Sequence, residues 1–190
     1  IISVPSGNFG NLCGGLIARK MGLPVSKFLA ATNMNHVVPD YLDSGVFRPR
    51  PSVPTISNAM DVGNPSNFSR ILDLYRGDHE AIAGDVEGHF LTDEETGRII
   101  QRVYEKYGYV MCPHTAIGFG ALEQSMSGRP QNIGISLSTA HPAKFMDIVD
   151  PLIKGHVDIP GRLKRIVERK KSALEMSASF DDFKSYLLDR

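Results

Sequence analysis

The chain predicts an α/β fold built on a parallel sheet, and three stretches carry that prediction. Ile1-Ile2-Ser3-Val4 reads as the end of a strand, runs through a loop of Ser, Gly and Asn, and enters a helix that reaches Lys20. One helix later, residues 27–32 form a short apolar run of the kind found in buried parallel strands, at the separation that makes a right-handed βαβ unit. The strand-to-helix junction then recurs twice, at residues 109–116 and 132–144. A chain of 190 residues, 42% hydrophobic and 22% charged, suffices for one such domain with a small appendage. We place the α/β domain at residues 1–160 and a C-terminal helical segment at residues 161–190.

The first junction, Pro5-Ser6-Gly7-Asn8-Phe9-Gly10-Asn11, gathers backbone N–H groups at the positive end of a helix dipole, an arrangement that suits a phosphate. Glycine lets an anion approach the backbone and supplies positive φ where a tight turn needs it. Ser6 can add a hydroxyl donor, and Asn8 and Asn11 can add amide donors. The loop holds no Lys or Arg, which fits a phosphate that is bound rather than transferred. A nucleotide P-loop requires Gly-Lys-Ser/Thr where this chain has Gly10-Asn11-Leu12, and a dinucleotide fingerprint requires another glycine spacing. The same glycines equally serve a plain strand-to-helix turn, so the loop alone leaves both readings open.

After this helix, Met21-Gly22-Leu23-Pro24 is a stop signal. Residues 33–41 predict a second helix, and Pro49, Pro51 and Pro54 keep residues 45–54 extended or looped. Residues 57–68 are rich in polar turn formers and lead into a helix over 67–75. Thr92-Asp93-Glu94-Glu95 is a capping box that opens a helix to residue 107, closed by Gly108. A strand over 109–112 precedes a small-residue helix through Gly118, Gly120 and Ala121, and a strand over 132–138 precedes a helix entered through Thr139-Ala140-His141-Pro142-Ala143-Lys144. In open α/β sheets the ends of such strands are where ligands bind. From Gly161 the chain predicts an amphipathic helix whose basic residues, Arg162, Lys164, Arg165, Arg169, Lys170 and Lys171, read as a solvated face.

With 21 basic and 21 acidic side chains the formal charge is zero, so the broad electrostatic footprint of a nucleic-acid binder is absent. No stretch reaches the length of a membrane span, and the first residues do not have the pattern of a signal peptide. Cys13 and Cys112 form neither a metal-ligand cluster nor a disulfide framework, so no metal is expected and a reducing cytoplasm is the default. The chain opens without Met, in residues that look like an interior strand, which predicts a piece of a longer protein.

Taken in order, Ser3-Val4-Pro5-Ser6-Gly7-Asn8-Phe9-Gly10-Asn11, Ala30-Ala31-Thr32-Asn33, Ser57-Asn58-Ala59-Met60-Asp61-Val62, Pro113-His114-Thr115-Ala116 and Thr139-Ala140-His141-Pro142-Ala143-Lys144 resemble the threonine synthase family in its longer bacterial and fungal form. These are pyridoxal-phosphate enzymes of the tryptophan synthase β-like fold, fold type II. The resemblance implies a three-layer parallel sheet with helices on both faces, here truncated. It also implies conversion of O-phospho-L-homoserine and water to L-threonine and phosphate.

By the same resemblance, pyridoxal 5′-phosphate is the cofactor, its phosphate cradled by Ser6, Gly7, Asn8, Phe9, Gly10 and Asn11, with the Thr139 hydroxyl meeting the pyridine nitrogen. A neutral hydroxyl there moderates the electron sink; the alternative for Thr139 is a helix N-cap. Asn58, Asp61, His114 and Lys144 are the substrate-binding candidates, His114 and Lys144 as cations facing a phosphate or carboxylate; a helix-start His and a surface Lys are the plainer readings. His141 shapes the turn. No catalytic residue is assigned within the chain, because the family's Schiff-base lysine belongs well before the Gly-Asn-Phe-Gly loop.

The chain therefore reads as the C-terminal portion of such an enzyme, inactive alone and prone to self-association where the N-terminal half would cover it. Its partners are O-phospho-L-homoserine and that half, with no nucleic acid and no membrane. The alternatives are another fold type II enzyme, a dehydratase or cysteine synthase-like relative, or a non-catalytic binder of a phosphorylated ligand.

Overall fold

The computed structural model of the chain describes residues 1–167 and 169–189. Its centre is a four-stranded parallel sheet in the order β3-β2-β1-β4. β1 (Ile2–Pro5) pairs with β2 (Phe28–Thr32), setting Val4 beside Ala30 and Pro5 beside Ala31. β2 pairs in turn with β3 (Val86–Phe90), and β4 (Ile135–Ser136) adds two residues along the other side of β1.

Alternation along the strands sends side chains to two faces. Val4, Phe28 and Ala30 join a core with α1 (Gly10–Lys20), α2 (Val37–Ser44), α3 (Phe68–Leu74) and α4 (His79–Asp85). Ala31 turns the other way, against Ile117 and Ala121 of α6 (Pro113–Met126). The Ser3 hydroxyl, on that face, donates to the Gly118 carbonyl at 2.6 Å. A side chain on Gly118 would meet Pro5 Cγ at 2.7 Å, so α6 lies against the sheet because it is small where it crosses. α5 (Asp93–Tyr107) packs on α6 and α7 (Met146–Ile153) packs on α5, in a second apolar cluster around Ile100, Ala116 and Val149. The predicted three layers are present.

The predicted βαβ unit is present, and α5 carries the full capping box: Thr92 accepts from the Glu95 N–H while the Glu95 carboxylate accepts from the Thr92 N–H. Gly108 closes the helix at φ 64°. Other elements differ from expectation. Residues 109–112 pair with no strand among the described residues, though Cys112 is extended; Met111 and Cys112 are buried, and Pro113 starts α6 directly after them. Strand pairing over 132–138 shrinks to β4. The second helix begins at Val37, not at 33, because the Asn33 side chain accepts from the Asn35 N–H and holds a turn there. In place of a helix entered directly through 139–144, a short 3₁₀ turn (Pro142–Lys144) leads through Phe145 into α7. Sequence reading did not anticipate α4 and β3.

Contacts divide the chain into two compact units, Ile1–Val157 and Asp158–Arg190. The second unit contains α8 (Gly161–Val167) and α9 (Phe180–Leu188), separated by a non-helical stretch, so the continuous helix expected from Gly161 is interrupted. Arg162, Lys164 and Arg165 lie on α8, whereas Arg169, Lys170 and Lys171 follow it. Among the described residues no helix is long and apolar enough to cross a membrane, and no cluster of His, Cys, Asp and Glu could hold a metal ion.

Candidate functional site

At the C-terminal edge of β1 the chain leaves the sheet through Ser6 and Gly7 and enters α1 at Gly10. Phe9, not a glycine, takes the left-handed conformation here, at φ 59°. Its ring is 2% exposed and sits edge-on to Phe68, so the core holds the turn. Gly7 is needed for proximity. The backbone of Ala59 and Met60, in the 3₁₀ turn Asn58–Met60, passes so close that a side chain on Gly7 would collide with it.

From Gly7 to Leu12 the backbone N–H groups have no acceptor among the described residues. They open the eleven-residue α1 and leave a set of free donors at its N-terminus, the arrangement an anion site requires. The loop's side chains divide. Ser6 is buried and its hydroxyl donates to the Val4 carbonyl at 2.8 Å, while its N–H donates to Ala31, so it braces the strand end. Asn8 exchanges hydrogen bonds with Ser66, and the Asn67 amide donates to the Asn8 carbonyl at 2.9 Å. Asn11 is exposed and makes no side-chain hydrogen bond among the described residues.

A cleft of about 380 Å³ brings the predicted segments together: Gly7 and Asn11 from the loop, His114 from the start of α6, and Thr139 and Lys144 from the segment after β4. Ala59, Met60 and Phe145 line it as well. A larger groove of about 560 Å³ runs along α5 past Arg98 and Arg102 and contains none of the predicted residues.

Thr139 is exposed and its hydroxyl is unpaired among the described residues; the 3₁₀ turn after it is capped by His141, whose Nδ1 accepts from the Ala143 N–H at 3.1 Å. The N-cap alternative for Thr139 therefore falls to His141. Lys144 is exposed and forms no ion pair among the described residues.

His114 is 4% exposed, and neither ring nitrogen has a hydrogen-bond partner. Burial pushes its pKa below the usual imidazole value, against a smaller upward pull from the Asp61 carboxylate and the Ser57 backbone. His114 thus resists protonation, where the sequence reading offered it as a cation.

Asp61 is committed elsewhere. Its Oδ1 accepts from the Asn33 amide at 2.9 Å, the Asn35 amide at 3.2 Å and the Thr55 hydroxyl at 2.7 Å, and its Oδ2 accepts from the Thr55 N–H at 3.0 Å. It fixes the strap that carries Ala59 and Met60 to Gly7. Asn58 is exposed on that strap and does not line the cleft.

Sequence reasoning missed Phe145, whose ring lies 4.7 Å from the His114 ring, and the Ser66–Asn67 clamp on the loop. The Asn64-Pro65-Ser66-Asn67 turn signal was the available pointer to the clamp.

A family profile described as threonine synthase, C-terminal, matches residues 115–187. Threonine synthase of Serratia marcescens is 38% identical over 188 residues, which is 99% of this chain and 43% of that protein. The crystal structure of threonine synthase from Escherichia coli superposes with a TM-score of 0.88 at 35% identity, over 99% of this chain and 43% of that one. The pyridoxal phosphate-bound threonine synthase of Brucella melitensis superposes with a TM-score of 0.85 at 30% identity, over 98% and 45%. The chain spans less than half the length of these relatives.

Proposed function

This chain corresponds, in sequence and in fold, to the C-terminal portion of the threonine synthases, and on that premise we propose that it supplies the cofactor-phosphate site of an enzyme converting O-phospho-L-homoserine and water to L-threonine and phosphate. The observation that carries this reading is the fan of free N–H groups from Gly7 to Leu12, which opens on the cleft shared with His114, Thr139 and Lys144. Pyridoxal phosphate fits these residues: its phosphate has a set of dipolar donors waiting, and its ring nitrogen can meet the free Thr139 hydroxyl. When bound, the cofactor supplies an electron-accepting ring that lets protons leave carbon next to the amine. The chain's own contribution is to orient that ring through the loop and Thr139, to hold the substrate's charge at Lys144, and to wall the cleft with Phe145 and Met60.

Turnover also requires an amine to hold the cofactor aldehyde, and none of the lysines here takes that part. Lys20 ends α1 outside the cleft lining, and this reading gives Lys144 to the substrate anion. The 190 residues alone are therefore inactive, and the apolar Ile133 and Ile135 beside the β4 edge favour self-association, which light scattering would detect. The reading carries with it a cytoplasmic location.

The test is release of phosphate from O-phospho-L-homoserine, with threonine measured in the same mixture, by the intact protein that carries this chain and by the 190 residues alone. Release by the first only is the expected result. A coloured but inactive intact protein would point to a fold relative with another substrate, and a colourless inactive one to a non-catalytic binder.

A further inference from the structure

The buried side-chain N and O atoms that lack a partner among the described residues belong to His114 and Ser136. For His114 both ring nitrogens are orphaned, in a residue 4% exposed that lines the cleft. Leaving a buried donor or acceptor unmade incurs its full desolvation cost, so such a ring requires a reason. The polar groups that act on it are engaged with others: the Asp61 carboxylate with Asn33, Asn35 and Thr55, and the Ser57 backbone carbonyl, which pulls the ring's pKa upward, with the Met60 N–H at 2.8 Å. Phe145, tilted against the ring, offers no hydrogen bond. The cleft is what remains.

We propose that His114 is held for a ligand and not for the fold: with Lys144 it binds the phosphoryl group of the phosphorylated amino-acid substrate. This rests on the substrate reading above and adds the residues that hold the substrate's phosphate. A neutral imidazole donates one hydrogen bond and accepts one. A phosphate monoester has acceptor oxygens and, while it keeps the proton of its second ionisation near pH 6, a donor as well, so it can meet the ring nitrogen that faces the cleft in either tautomer. Lys144, exposed and without an ion pair among the described residues, supplies the charge that a neutral ring does not. Among the described residues, the charged groups that act on His114 or share its cleft are Asp61 from the strap and Lys144 from the 3₁₀ turn.

The experiment compares His114→Phe, His114→Gln and Lys144→Met with the parent in the intact protein. It reads thermal midpoint without ligand, pyridoxal phosphate affinity, and affinity for O-phospho-L-homoserine against L-homoserine. For His114→Phe we expect a midpoint no lower than the parent's and pyridoxal phosphate affinity unchanged within about threefold, with phosphohomoserine binding weakened about tenfold or more, as for a lost hydrogen bond to a charged group. Homoserine binding should be unaffected. His114→Gln should recover part of the loss, and Lys144→Met should reproduce it.

A lowered midpoint with phosphohomoserine affinity intact overturns the proposal. So does a parent that binds phosphohomoserine no better than homoserine. Failure of the parent to bind pyridoxal phosphate would defeat the cofactor reading instead, and the comparison of the two amino acids still decides the role of His114.

Discussion

Gly7 and Met60 meet backbone to backbone: a Cβ on Gly7 would stand 2.6 Å from Met60 Cα and 2.9 Å from the Ala59 carbonyl oxygen. The phosphate loop and the 3₁₀ turn beside it therefore fit only in the absence of a side chain. Gly7→Ala should displace one or the other, costing about 1–3 kcal/mol, as overpacking does. Urea unfolding would show the loss, and a pyridoxal phosphate titration should show weaker binding. A variant with parental stability and affinity would mean the two segments part without cost.

Asp61 carries the strap to that meeting point. Asp61→Asn keeps one acceptor but can turn an amide toward the Thr55 N–H, where Oδ2 now accepts. The expected loss is about 1–3 kcal/mol. The substitution also removes the negative charge that partly supports His114 protonation, so the His114 ring should titrate lower still by NMR. An unmoved His114 titration would show that Asp61 acts on the strap alone.

The depressed His114 pKa has a sign in stability. In the unfolded chain the ring takes up its proton near pH 6.5, while the folded ring resists it, so the unfolded state binds more protons below that pH. Stability should fall as pH drops through about 6.5 and continue to fall until the folded ring itself titrates. His114→Phe should flatten that part of the profile, measured as thermal midpoint against pH in the ligand-free protein.

Thr139 offers the opposite behaviour. Its exposed hydroxyl holds nothing in the fold, so Thr139→Ala should change stability by less than about 0.5 kcal/mol. If the hydroxyl meets the pyridine nitrogen, pyridoxal phosphate affinity should weaken by the worth of one hydrogen bond, about 0.5–1.5 kcal/mol. Absorbance titration of the cofactor reads this directly.

Thr92 and Glu95 are a control remote from the cleft. Thr92→Ala removes the side-chain acceptor of the Glu95 N–H and should cost about 1 kcal/mol in urea unfolding, with ligand affinity unchanged.

Much of this was legible along the chain because it is local. The β1 to α1 loop, the βαβ unit and the capping box are each written in contiguous residues, where turn chemistry and periodicity act. The strand predicted over 109–112 was not resolved by local pattern, since an extended apolar run becomes a strand only with a partner beside it, and here it finds none among the described residues. β3 escaped for the converse reason: Val86-Glu87-Gly88-His89-Phe90 has weak strand character, and its place is set by pairing with β2. At the site, most of the segments the sequence singled out line one cleft, while the His114 ring offered there as a cation is buried and resists protonation. That resistance follows from burial, which no spacing along the chain announces.

Phe9 joins two demands in one codon. A residue at φ 59° is easiest as glycine or asparagine, yet the ring, 2% exposed and set against Phe68, fills core that either of those would leave empty. Relief of backbone strain and loss of packing oppose each other at this position, with the cavity the larger effect at about 3–5 kcal/mol for a lost phenyl ring against about 1–2 kcal/mol for the left-handed turn. Mutational tolerance at position 9 should accordingly be narrow in both directions. In a saturation library selected for folding, substitutions there would be depleted as strongly as those at sheet residues such as Val4, although Phe9 lies in a loop.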